Sequence, residues 1–213
     1  MNLMTRFSAA ALSVLFLALE APAAEGVRDL GHGLSYYRIH SLPEDLPTPP
    51  SGRPGACVLD LRFAKADLET AAALKAWVRF NATARSPIFV LENAATALPL
   101  KRVLRGNRSG GIIVLAPADA DLTPDITVTV APDDDRSAYE AVEKGAPVET
   151  LLQDYPDKPR IDEAYLEKEH IPDSDAPDLP DEKDLPARPK VDRLLQRAVQ
   201  LHRGLLALKR IQG

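Results

Sequence analysis

Cysteine is almost absent from this chain. Cys57 is the only one, so no disulfide can form within it. The thiol lies between Ala56 and Val58 and reads as buried and inert, because a reactive thiol needs an electropositive, partly open setting. Positive charge is also in short supply, with 26 Lys and Arg against 31 Asp and Glu and a formal net charge of -5. That balance excludes the bulk electrostatics of a nucleic-acid binder. The histidines, His32, His40, His170 and His202, are scattered, and no two stand at metal-ligand spacing. Asp173-x-Asp175-x-Pro177 breaks the calcium-loop pattern, so neither a metal nor another cofactor is expected. Glycine is scarce beside proline, 11 against 19, and the prolines cluster in connections. After the first segment no apolar run approaches the ~18 residues of a membrane span.

What is present begins with Arg6, an apolar run from Phe7 to Leu19, and the small residues Ala21-Pro-Ala23. This is the layout of a secretory signal. Residues 1–24 are expected to be removed, leaving an exported chain, periplasmic or secreted, with no membrane span.

Residues 25–153 read as one α/β domain. Residues 25–33 form a lead-in, and Leu34 to Ile39 is β-prone and aromatic. Five prolines between Ser41 and Pro54 demand an irregular connection. Ala56 to Arg62, Ile88 to Glu92 and Ile112 to Ala116 are short apolar runs of the kind buried in parallel sheets. Asp125 to Val130 alternates and suits a strand near a sheet edge. Between these runs, Asp67 caps a helix over Leu68 to Phe80, and Thr96 reads as the cap of a short helix ending near Leu104. Asp133-Asp-Asp135 opens a further helix that Gly145 ends, and a last short helix fits Pro147 to Tyr155.

Composition then changes. From Asp154 to Leu185 there are twelve acidic and four basic residues, a local net of -8, with recurring prolines and few apolar side chains. Residues 154–189 are therefore expected to be a disordered acidic linker. Residues 190–213 recover helical spacing at Val191, Leu194, Leu195, Ala198, Leu201, Leu205 and Leu208, an amphipathic helix that could serve as a homo-oligomer seam.

Several segments in order resemble the carboxy-terminal processing peptidases, or tail-specific proteases, of the ClpP/crotonase-like fold. They are Gly33-Leu-Ser-Tyr-Tyr-Arg-Ile39, Cys57-Val-Leu-Asp-Leu-Arg62, Ile88-Phe-Val-Leu-Glu-Asn-Ala-Ala-Thr-Ala97, Thr123-Pro-Asp-Ile-Thr-Val128 and Asp192-Arg-Leu-Leu-Gln-Arg-Ala198. The resemblance implies a ClpP/crotonase-like sheet with crossover helices. It also implies a nucleophilic Ser after Thr96-Ala97, where this chain has Leu98. The family's Lys base is missing after the strand ending at Ala116, and its Gly-rich turn is replaced by Phe63-Ala-Lys-Ala-Asp67. Peptide hydrolysis needs a nucleophile, a base and oxyanion donors, so these departures point away from catalysis.

The expected function is that of an exported pseudo-peptidase, a non-catalytic protein that binds or scaffolds a protein or peptide partner. The alternative is a serine-type hydrolase with an atypical site built around Thr96, Asp60 or Asp119. Thr96 is the hydroxyl nearest the vacated position. Asp60 reads as the partner of Arg62 or of backbone at the strand end. Lys101, Arg102, Arg105 and Arg108 before Ser109-Gly-Gly111 read as a charged surface turn.

Overall fold

Alternation between the two faces of a strand dictates the architecture. In Cys57-Val-Leu-Asp-Leu-Arg62, residues 57, 59 and 61 point one way and 58, 60 and 62 the other, so both faces must be covered. The computed structural model describes residues 27–48, 54–106, 110–153 and 190–211. Within them lies a mixed α/β fold: a six-stranded sheet in sequential order with helices on both faces. The strands are β1 (Val27–Asp29), β2 (Ser35–Arg38), β3 (Cys57–Asp60), β4 (Ile88–Leu91), β5 (Ile112–Pro117) and β6 (Ile126–Val128). β1 pairs antiparallel with β2, and every later pair is parallel. β1 falls in the stretch read from the sequence as a lead-in. Its three residues, half exposed at the edge, carry no periodic signal and are held by register with β2.

Two crossover helices cover one face. α1 (Leu68–Asn81) follows β3, and α2 (Leu98–Gly106) follows β4. Both lie on the same side, as crossovers of one hand require. Asp67 starts α1 through a capping box, accepting from Thr70 N at 2.8 Å while its own N–H donates to Thr70 Oγ1 at 3.0 Å. Ala71, Leu74 and Val78 of α1, with Leu100 and Leu104 of α2, pack on Cys57, Leu59, Ile88, Val90 and Val114. Full burial of such side chains stabilises by about 1.5–3 kcal/mol each. Gly111 turns the chain into β5 at φ 128°, and a Cβ there would lie 2.5 Å from the Thr83 backbone, so no larger residue fits.

The other face carries α3 (Pro132–Glu143), α4 (Val148–Leu151) and α5 (Arg193–Ala207). Val142, Val148 and Leu151 join Leu194, Leu195, Ala198 and Val199 over Tyr36, Val58, Phe89, Leu91 and Leu115. The apolar stripe of the terminal helix thus packs on the sheet of its own chain from Leu194 to Leu205, and Leu208 is exposed. Asp192 N donates to Leu151 O at 2.9 Å, so the chain re-enters the fold beside the point it left. The expected signal segment and the whole of the expected acidic linker lie outside the described residues.

Candidate functional site at the carboxyl ends of the strands

In an open parallel sheet the carboxyl ends of the strands are the usual place for chemistry. Here that edge gathers Asp60, Arg62, Phe63, Asn93, Thr96, Asp119 and Asp135. Arg62, just past β3, is fully buried at its centre. Its Nε donates to Asp60 Oδ1 at 2.9 Å and its Nη2 to Asp60 Oδ2 at 2.6 Å. Nη1 reaches Asp135 Oδ1 at 2.9 Å, and Nη2 reaches Asp192 Oδ2 at 2.7 Å. The Asp60–Arg62 pairing read from the sequence is present, but the sequence reading missed the other two carboxylates. Asp135 and Asp192 each sit at a helix start, where an acidic residue is already explained by the free N–H groups. Asp192 fills both roles, since its Oδ1 also caps α5 by accepting from Leu195 N at 3.0 Å.

Three carboxylates around one guanidinium remain buried because donors answer them. Tyr36 Oη donates to Asp60 Oδ2 at 2.7 Å, and Asn93 Nδ2 to Asp135 Oδ2 at 2.9 Å. Burial, reinforced by the Asp60 carboxylate, holds the Tyr36 phenol well above its ordinary range. Burial alone would loosen the Arg62 proton, but Asp192, Asp60 and Asp135 outweigh it and keep the guanidinium charged. Burial pushes the Asp192 carboxyl up, against the opposing pull of Arg62. Each Asp60 oxygen accepts two hydrogen bonds, which commits the carboxylate as a structural anchor.

The expected nucleophile position is Leu98, the first residue of α2, and it is 41% exposed. It lines neither a closed core nor the cavity at this edge. Thr96 is buried and does not cap α2. Its hydroxyl donates to Leu61 O at 3.0 Å and accepts from Asn93 N at 3.0 Å, tying the turn after β4 to the end of β3. The correction is physical: Thr96 stands two residues before the helix and its oxygen is used by the turn. Phe63 adopts φ 62°, the left-handed conformation that favours glycine, at the turn the peptidase resemblance makes Gly-rich. Its N–H is directed at Asn93 Oδ1, 3.4 Å away, and Ala95 N donates to the same oxygen at 3.1 Å. The Asn93 amide oxygen therefore occupies the space between two backbone donors. The remaining cavity, between Phe63, Asn93, Asp119, Asp135 and Arg136, is about 90 Å³. That is well below the ~300 Å³ of a small-ligand pocket.

The basic run after Leu98 is not the surface turn it resembles. Lys101 is fully buried, its Nζ donating to Ala94 O at 3.0 Å and Asp121 Oδ2 at 2.6 Å. That hydrogen bond holds the Asp121 carboxyl below its usual range. Arg105 grips the buried Glu92 carboxylate, and its Nε donates to Thr123 O at 2.7 Å. Burial raises Glu92, with Arg105 opposing. Helical spacing makes these cations look solvated, whereas the loop before β6 supplies acceptors from far along the chain. Arg108 and Ser109 lie outside the described residues, as does His170. Cys57 is buried, and burial pushes its thiol up to about 12.

Among the described residues no group of three His, Cys, Asp or Glu side chains is placed to hold a metal ion, and no helix is long and apolar enough to cross a membrane. Comparison of the chain with protein-family models, with curated proteins and with solved structures found no match.

Proposed function

We propose that this chain is an exported, non-catalytic protein that binds or scaffolds a protein or peptide partner on a domain derived from a tail-specific peptidase of the ClpP/crotonase-like fold. The observation that carries the non-catalytic reading is the Asn93 side chain. Its Oδ1 accepts from Ala95 N and faces the Phe63 amide, where a peptidase would keep donors open for an oxyanion. Thr96, the hydroxyl nearest the vacated position in the sequence, donates its proton to a backbone carbonyl, and the Lys101 amine is committed to Ala94 O and Asp121. The left-handed turn at Phe63 supports the ancestry, because a bulky residue is costly where a glycine would be free. The alternative hydrolase would need Thr96, Asp60 or Asp119 as working groups. The first two are committed to internal hydrogen bonds, and Asp119 lines a cavity of about 90 Å³.

The test pairs the native chain with Thr96→Ala and Leu98→Ser, each treated with a fluorophosphonate probe and a denatured tail peptide. No labelling and no cleavage are expected from any of the three. Labelling of the native chain that disappears in Thr96→Ala would overturn the proposal and restore the hydrolase.

A further inference from the structure

A second cleft lies away from the Asn93–Thr96 turn, over β1, β2 and the end of α3. It has a volume of about 360 Å³ and is lined by Arg28, Tyr36, Arg38, His40, Asp45, Val142 and Glu143. The strand register builds it. Arg28 of β1 stands opposite Tyr36 of β2, with Arg38 two residues on, so these three project from one face, and His40, just past the strand, lines the same cleft. Arg28 and Arg38 are then diagonal neighbours, near enough for both to reach one small molecule.

The Arg38 guanidinium is unusually well fixed. Its side chain is 7% exposed, it lies 3.6 Å from the centre of the Tyr139 ring, and its Nη2 donates to Tyr139 O at 3.0 Å. Tyr139 is braced in turn by Phe63, with ring centres 4.7 Å apart. Arg38 Nε has no hydrogen-bond partner. A buried guanidinium with an idle donor is costly unless something else claims it. Among the described residues Glu143 is the carboxylate that stands within ion-pair distance of this guanidinium. Its carboxylate stands 3.6 Å from Arg38 Nη2 and 3.6 Å from His40 Nε2, too far for hydrogen bonds, and it is 54% exposed at the end of α3. Asp45 does not compete, because its Oδ2 caps the turn by accepting from His40 N and Ser41 N, both at 2.7 Å.

We propose that this cleft is a binding site for a small carboxylate-bearing molecule, whose carboxylate takes the place Glu143 now holds loosely between Arg38 and His40. Arg28 grips a second acidic group or the same one. One Nη1 proton of Arg28 is used on Ala146 O at 3.0 Å, which orients the guanidinium and leaves other donors for the ligand. The volume is that of a small-molecule pocket and favours a compact acid over an extended peptide. The site is independent of whether the Leu98 edge is catalytic.

The experiment titrates the full chain with succinate and follows the Nε–H resonances of Arg28 and Arg38 by nitrogen-15 correlation spectroscopy. Saturable shifts of both, half complete at roughly millimolar succinate, are expected. Glu143→Gln removes the internal competitor at an exposed position and should tighten binding about threefold to tenfold. Arg28→Gln should weaken it about tenfold. No saturation, or equal shifts from chloride at matched ionic strength, would overturn the site. Unchanged or weaker binding by Glu143→Gln would overturn the displacement of Glu143. Tighter binding of inorganic phosphate than of succinate would overturn the carboxylate assignment in favour of a phosphoryl group.

Discussion

The two faces of the sheet are covered in physically different ways. On one side α1 and α2 are crossovers, each a few residues from the strands it covers; Leu74, Val78, Leu100 and Leu104 pack on the sheet, and the ion pairs of α2, Lys101–Asp121 and Arg105–Glu92, reach only the neighbouring loop and the strand before it. On the other side α5 arrives from far along the chain and combines an apolar stripe with an ionic clasp, Asp192 on Arg62. Local helices need only a face to bury. A remote helix must also find its register, and a buried, fully hydrogen-bonded charge cluster tolerates only one position.

The largest effect expected from this difference lies at Arg62. Arg62→Met keeps the volume but strands Asp60, Asp135 and Asp192 in the interior. Breaking such a cluster on one side costs roughly 3–5 kcal/mol, a large part of the stability of a domain this size. Denaturant unfolding should show a collapsed midpoint. An unchanged midpoint would mean that the clasp contributes nothing and that α5 is held by apolar burial alone.

Next come a matched pair, Asp192→Ala and Leu74→Ala. Each should cost about 2–4 kcal/mol, the first by loss of a cap and a buried ion pair, the second by a cavity. They differ in where the loss appears. Hydrogen exchange of Asp192→Ala should speed the amides of α5 and spare β3 and β4, whereas Leu74→Ala should weaken the whole sheet together. Identical exchange patterns would erase the distinction between the faces.

A smaller effect follows from His202, which is 1% exposed in α5, edge-on to Phe89, with Nε2 unpartnered. Burial lowers its basicity, and the nearby His32 and Arg203 charges lower it further. A folded value below the unfolded one gives stability that is complete above the ordinary histidine value of about 6.5 and lost as pH falls through the folded value. Asp192 on the same helix has the opposite sign. Its raised folded value gives stability complete below the ordinary aspartate range and lost as pH rises through the folded value. His202→Phe should therefore remove the acid-side loss and gain about 1 kcal/mol on that side. Retention of the acid-side loss in the variant would assign it to another group.

Much of this arrangement was legible in the residues. Short apolar runs ending in Asp60, Glu92 and Ala116 became parallel strands, because alternation and β-branching leave such runs no other stable home. Asp67 capped its helix because Thr70 stands three residues on. What could not be read was convergence. Asp135 and Asp192 meet Arg62 across 73 and 130 residues, and Lys101 and Arg105 of one helix meet Asp121 and Glu92. Local rules explain each of these side chains as a cap or a solvated charge, so nothing in their spacing flags a partner. The same holds at the candidate site. Leu98 can be read from the sequence, but the turn of Asn93 into the space between the Phe63 and Ala95 amides depends on two loops meeting.

The smallest effect concerns residues 154–189, and it tests whether the remote helix depends on its own connection. Asp192 N donates to Leu151 O at 2.9 Å, and Gln196 Nε2 to Leu152 O at 3.3 Å, so the points of departure and return are already in contact. Replacing residues 154–189 with about eighteen Gly and Ser residues halves the length of the connection, worth only about 0.6 kcal/mol of closure entropy in favour of folding. The shortened chain should therefore melt slightly above the native one and keep α5 as well protected from exchange. Loss of α5 protection would show that the intervening residues help to hold the helix. The clasp at Arg62 would then be one of two attachments, and the contrast between a locally held face and a remotely clasped one would weaken accordingly.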